Sequence, residues 1–296
     1  FLEWCESEFG RVELVSELDE ILTDYFYFLY ESGGGRARAV DTLYGIFMFA
    51  PAWRSSFPIS YMSLKGWSRL VPVVSHPPLS WELTVLLSIQ LLREGFPLIA
   101  LGVLLAFDCL LRISELLRLA PEDVVFPGDC RLGVPIDRAM LRLKVTKTGK
   151  NQWVPISNPV VVRWLWAVLI RCQSTARLFP FSSSLFRRLF KATVAKLRLP
   201  TSIVPHSLRH GGATRLHLSG LPLEDILLRG RWAASKSART YIQAGKALLL
   251  DLNVEGPVAQ LASVLAGDLE HTFRMLHFDV DNAQFLSSPQ LKHLFG

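Results

Sequence analysis

Residues 96–111 read F-P-L-I-A-L-G-V-L-L-A-F-D-C-L-L, the longest apolar run in the chain. It falls short of the roughly 18–20 residues that cross a lipid core, and Asp108 interrupts it. The run therefore predicts a helix enclosed by protein rather than by membrane, with other elements covering every side of it. Half of the 296 residues are hydrophobic and a fifth are charged, enough apolar matter for such a core and too little charge for wholesale disorder. The length points to two domains.

The elements around the run read mostly as helices. Apolar residues recur at helical spacing over Val12–Glu31, up to the breaker Gly33-Gly34-Gly35, and again over about 37–49 and 60–70. Val73–Pro78, V-V-S-H-P-P, is extended and proline-rich, and places a domain boundary between residues 76 and 77. Ser80 then caps a helix with Glu82 in its first turn. A short helix is expected from about 114, and strands at 124–126, 141–145 and 152–156. The K-T-G-K turn joins the last two as a hairpin, with Gly149 free to take positive φ. Asn158-Pro159 opens a helix through Cys172, and further helices are expected at 183–197, 206–219, 223–229, 236–249 and 257–276.

Charge is distributed unevenly. Residues 1–78 carry 6 Lys/Arg against 10 Asp/Glu, whereas from Arg138 to Leu223 there are 15 Lys/Arg and no acidic residue. Such a stretch repels itself unless a polyanion covers it, which points to nucleic acid, the alternative being an ordinary basic face. The four cysteines, Cys5, Cys109, Cys130 and Cys172, form no C-x-x-C pair and suit neither a disulfide framework nor zinc. A reducing intracellular setting is expected. The chain begins at Phe1 rather than Met, so a missing or processed N-terminal stretch is expected, and no charged leader precedes an apolar segment.

Four local features follow in order: L-L-R-I-S-E-L at 110–116, V-T-K-T-G-K at 145–150, H-S-L-R-H at 206–210, and G-R-W-A-A-S-K-S-A-R-T-Y at 230–241. Singly, each has an ordinary structural explanation. Arg112 can be a capping or solvated arginine, Lys147 and Lys150 exposed turn charges, and Trp232 and Tyr241 packing aromatics. His206 and His210, four apart, could nominate a metal pair, but no H-E-x-x-H glutamate or nearby carboxylate accompanies them, so no metal is expected. Together, two arginines, a lysine, a histidine and a tyrosine suit one task. They can hold a phosphodiester, neutralise a pentavalent transition state and attack with a phenol.

This constellation resembles the active site of the tyrosine recombinases, the phage integrase family. L-R-I-S-E-L is similar to the first arginine box, with Arg112 supported by Glu115; H-S-L-R-H is similar to the H-x-x-R box, with His206 and Arg209. Trp232 stands nine residues before Tyr241, as His or Trp does before the family's nucleophile. The tryptophan and the H-S pair are closest in motif to Cre recombinase. L-K-G-W-S-R-L-V-P followed by P-P-L-S-W is similar to the DNA-clamping domain of the recombinases of DIRS-type retrotransposons.

The resemblance implies a mainly α fold with a small β-sheet, in two parts: residues 1–76 a helical core-binding domain, and 77–296 an α+β catalytic domain with a C-terminal packing tail. It implies that Tyr241 attacks DNA to leave a 3′-phosphotyrosyl enzyme, with Arg112 and Arg209 gripping the phosphate and no cofactor. Lys147 would be the general acid, with Lys150 as the fallback; His206 and Trp232 would assist. Lys65, Lys150, Arg231 and Arg239 are expected DNA contacts. Double-stranded DNA is the implied partner, on which the chain forms a homodimer or tetramer, with no membrane involved. The implied location is the nucleus in a eukaryote and otherwise the cytoplasm or nucleoid. Two other readings remain: a type IB topoisomerase-like nicking-closing enzyme, and a non-catalytic DNA-binding protein domesticated from a recombinase.

Overall fold

The computed structural model describes residues 1–275 except 11, 13, 72–75, 130–136, 147–148, 171–176 and 234–240. It divides into two compact units, Phe1–Ser75 and His76–Gly296.

The first unit is helical: α1 (Leu2–Phe9), α2 (Val15–Glu31), α3 (Arg36–Phe49), a 3-10 turn at Pro51–Ser55, and α4 (Pro58–Leu70). Residues at helical spacing on α2 (Leu22, Phe26, Leu29) and α3 (Ala39, Leu43, Phe47) meet Leu64 and Trp67 of α4 in one core. Pro58 lacks an N–H, and α4 is capped from a distance. The buried Asp19 carboxylate of α2 accepts from the backbone N–H groups of Ile59 and Ser60, each at 2.9 Å. The α1 helix was not expected; it is short and buries only Cys5, so its hydrophobic pattern is weak.

In the second unit α5 (Trp81–Arg93) and α6 (Pro97–Asp108) pack together, and α5 is capped by Ser80, whose hydroxyl accepts from the Leu83 N–H at 3.4 Å. Every residue from Pro97 to Phe107 is buried, as the apolar run requires. Around these two lie α7 (Ile113–Leu116), α8 (Pro159–Leu169), α9 (Ser183–Lys196), α10 (His206–Leu218) and α11 (Leu223–Gly230). After them come α12 (Ala244–Leu252), α13 (Gly256–Gly267) and α14 (Leu269–Met275). Among the described residues one antiparallel sheet forms, in the order β1 (Val124–Val125), β2 (Met140–Thr146), β3 (Gly149–Pro155), with Leu141 opposite both Val124 and Val154. No single helix among the described residues is long and apolar enough to cross a membrane. The expected fold class, mainly α with one small sheet, is the observed one.

Several details depart from the sequence reading. The helix in the apolar run stops at Asp108 rather than continuing to Leu111, because Leu110 takes a left-handed φ of 51°. Asp108 is not a defect in that helix. Its carboxylate accepts from the Ser157 and Asn158 N–H groups at 2.7 and 3.2 Å, and Arg229 donates to its carbonyl at 2.8 Å. Gly149 begins β3 opposite Thr146 without positive φ; Asn151 carries it instead, at 51°. The expected helix 257–276 is broken at Asp268 into α13 and α14. Of the expected helix 236–249, the described part begins only at Ala244 and runs on to Leu252.

Gly211 and Gly212 stand where a side chain cannot fit. A Cβ at Gly211 would lie 2.0 Å from the Leu79 carbonyl oxygen, and one at Gly212 would lie 2.2 Å from that of Phe107. The pair lets α10 close directly onto Leu79 and the end of α6, which sets the depth of the residues at the N-terminus of α10. Gly212→Ala should therefore cost about 3 kcal/mol, since backbone must shift to admit the methyl. Urea unfolding measures this, and a loss below about 1 kcal/mol would show that the contact yields.

Candidate active site

Glu115 organises the site. Its carboxylate is buried at the start of α7, accepting from the Arg112 N–H at 2.8 Å and from the Arg112 guanidinium at 2.6 Å. Arg231 reaches the same carboxylate at 2.8 Å and Arg209 stands 3.8 Å away. Burial alone would raise the Glu115 pKa, but Arg231, the Arg112 hydrogen bonds and Arg209 outweigh it and hold the carboxyl below its usual range. One carboxylate thus anchors three guanidinium groups.

The three cations differ in accessibility. The Arg112 side chain is 22% exposed and faces a cavity, whereas that of Arg209 is 0% exposed. Arg209 donates to the carbonyls of Leu110 and Gly230, and its guanidinium lies 4.7 Å from the Trp232 ring and 5.4 Å from the Tyr241 ring. Burial, then Arg231 and Arg112, pushes its pKa down to about 9, still charged at neutral pH. Arg231, expected as a DNA contact, is instead buried. Besides Glu115 it donates to Arg229 and Leu110 carbonyls at 2.7 and 2.6 Å. It occupies the left-handed region at φ 56°, capping α11 and turning Trp232 back over the site. The left-handed turn at Leu110 has the matching purpose: it aims one carbonyl at both Arg209 and Arg231.

His206, Arg209 and His210 share one face of α10, at i, i+3 and i+4. His206 Nε2 lies 3.2 Å from the Tyr241 hydroxyl. The Tyr241 ring stacks on His210 at 4.5 Å and tilts against Trp232 at 4.7 Å. Its carbonyl meets Thr214 Oγ1 and His210 Nδ1, each at 3.3 Å. Beside this ring two buried donors, Arg209 Nε and Trp232 Nε1, have no hydrogen-bond acceptor among the described residues. Unpaired buried N–H groups are rare and costly, and a donor left in this state is free to meet an incoming acceptor.

Burial and nearby cations, Arg209 first, push His206 down to about 4; burial and His206 do the same to His210. Both imidazoles are therefore neutral at pH 7. In the unfolded chain they take up protons near pH 6.5. Between about 6.5 and 4 the unfolded state binds more protons, so stability falls as pH falls across that window and this contribution levels off below it. The expected loss is on the order of 3 kcal/mol for the two together, allowing for partial solvent access. Unfolding midpoints measured from pH 7 to 4.5 test this; a His210→Gln variant should show about half the slope.

Lys150 is exposed on β3 and Lys65 exposed on α4 of the first unit. Lys147 and Arg239 lie outside the described residues. The sequence reading missed the role of Arg231 as an internal anchor and of His210 as a stacking partner; i, i+4 spacing was the only signal for the latter. It also missed a cavity of about 650 Å³ into which Arg112 and His206 open. No group of three or more His, Cys, Asp or Glu among the described residues could hold a metal ion.

Comparison with known proteins gives one family and a set of folds. Residues 92–247, more than half of the chain, match the family model described as the phage integrase family. XerA recombinase is similar over 90% of this chain and 96% of its own, at 15% identity and a TM-score of 0.44. The Tn1549 transposon integrase, solved in complex with transposon right end DNA, is similar over 84% of this chain and 96% of its own, at 14% identity and a TM-score of 0.52. The likeness to the transposon integrase speaks for the fold alone. No protein of curated function matches.

Proposed function

The chain belongs to the phage integrase family of tyrosine recombinases, and from that premise we propose that it cuts and rejoins double-stranded DNA through a 3′-phosphotyrosyl intermediate on Tyr241. The observation that carries this reading is the setting of that hydroxyl. It lies 3.2 Å from the neutral His206, beside two buried N–H donors that lack acceptors. A neutral imidazole can take the phenolic proton as the oxygen attacks phosphorus. The bond from phosphorus to the 5′-oxygen breaks, and that oxygen leaves as a hydroxyl after accepting a proton. Lys147 is the proposed donor, with Lys150 the fallback. Return of a 5′-hydroxyl reverses the step, so the bond energy is conserved in the phosphotyrosine and no cofactor is consumed.

Arg112 meets the non-bridging oxygens from the cavity side. Arg209 Nε and Trp232 Nε1 meet them from the other side once the Tyr241 ring lifts off the guanidinium. Phe1–Ser75 then serves as the core-binding domain, with Lys65 as a backbone contact, and the second unit as the catalytic domain. The segment after Tyr241 packs on a neighbouring protomer in a DNA-bound dimer or tetramer. Origin in a mobile element fits this activity, and so does a nuclear or nucleoid location. Kinship with Cre or the DIRS-type recombinases rests on Trp232, the H-S pair and L-K-G-W-S-R-L-V-P alone.

The test is covalent capture. Wild-type protein incubated with nicked duplexes cut from the DNA flanking its coding locus should form an adduct that survives denaturation, and peptide mapping should place the nucleotide on Tyr241. Tight binding with no adduct on any such duplex would favour a binding protein that has lost catalysis.

A further inference from the structure

The cavity beside the reacting groups carries more positive charge than one phosphate needs. Arg118, Arg177 and Arg187 line it together with Arg112, His76 and His206, and among the described residues no carboxylate from Asp or Glu does. Arg112 is ion-paired with Glu115, but Arg118, Arg177 and Arg187 have no ion pair among the described residues and are exposed. Arg187 is held at its stem by Ser183 Oγ, which accepts from its Nε at 3.2 Å, and it lies close enough to His206 to help keep that imidazole neutral. Three guanidinium groups around one hollow, with no acidic partner among the described residues, repel each other until an anion enters. At about 650 Å³ the cavity is of the size that holds a whole small ligand, roughly 300–1,000 Å³, rather than one phosphate group.

We propose that Arg118, Arg177 and Arg187 form a second phosphate seat, which takes the DNA backbone phosphodiester adjoining the scissile one on the same strand. The inference rests on the reading of Tyr241 as a DNA-cleaving nucleophile. With two consecutive phosphates held, the first by Arg112 and the second by these arginines, the strand is fixed in direction as well as position. The phosphorus then stays in line with the attacking oxygen. Arg118, Arg177 and Arg187 are thus positioning residues. None lies in the four motifs that the sequence displays.

The experiment couples a protein change to a DNA change. Single-turnover adduct formation is measured for wild type and Arg187→Gln on nicked duplexes from the flanking DNA. One set has all phosphates, and others have a neutral methylphosphonate at one or the other linkage beside the cut. On all-phosphate DNA the variant should be slower by about ten-fold, as expected for loss of one charge-assisted contact. At one of the two linkages the neutral group should slow wild type by a similar factor and the variant no further. If the two losses multiply at both linkages, Arg187 does not hold either phosphate and the proposal falls. Should wild type form no adduct at all, the cleavage reading fails separately. The seat is then decided by binding: the slope of log K against log salt should be shallower by about one for Arg187→Gln, and an unchanged slope overturns it.

Discussion

Tyr241→Phe should abolish covalent capture of DNA while the protein still folds and binds. The phenyl ring keeps its stacking on His210 and its contact with Trp232, so only the hydroxyl and its 3.2 Å contact with His206 are lost. One such hydrogen bond is worth about 0.5–1.5 kcal/mol, so duplex affinity should change by about ten-fold at most. Adduct formation should fall by on the order of 10⁴-fold or more, the scale of removing a nucleophile from a cooperating catalytic group. Capture gels and a filter-binding titration on the same duplex separate the two effects. An adduct that persists in the variant would assign the chemistry to another residue.

Glu115→Ala should be the most damaging single change to the stability of the second unit. It leaves Arg231, and next to it Arg209, buried without the carboxylate that balances them, and it removes the acceptor for the Arg112 N–H. Removing one partner of a buried ion pair costs about 3–5 kcal/mol because the other charge is left uncompensated. The paired replacement Glu115→Met with Arg231→Met should recover much of that loss, since neither charge then remains to be desolvated. Urea denaturation of the three proteins reads the difference. A Glu115→Ala loss below about 1 kcal/mol would mean that Arg231 escapes to solvent, and the description of Glu115 as the anchor would be wrong.

Much of this molecule can be read from residue order because its strongest signals are local. A run that is apolar on all sides can only be an enclosed helix, and α6 is one. Asn158-Pro159 caps α8 as such a pair should, with the Asn158 side chain accepting from Val160 and Val161. The motif residues Arg112, Glu115, His206, Arg209, Trp232 and Tyr241 do come together, and local spacing carries part of that: His206 and Arg209 share one face of α10, and Arg112 and Glu115 stand at the start of α7. What could not be read depends on partners far along the chain. Whether Arg231 is a surface charge or a buried strut is decided by a left-handed turn and by carbonyls more than a hundred residues earlier. The burial of Arg209 depends on the rings of Trp232 and Tyr241 lying against it, and the tolerance of Gly211-Gly212 depends on Leu79 and Phe107. Spacing along one helix carries none of that information.

The sharing of Glu115 by distant arginines also bears on how the protein is made. Arg209 and Arg231 are joined to the Leu110–Glu115 corner across sequence separations of 99 and 116 residues. At ribosomal speeds of about 5–20 residues per second, Arg231 is synthesised roughly 6–23 seconds after Glu115. Throughout that interval the nascent chain holds its first arginine box but neither the strut that steadies it nor the tyrosine that would attack. On the proposed function, a truncated or half-translated product would lack both the strut and the nucleophile, and DNA cleavage would be confined to finished molecules.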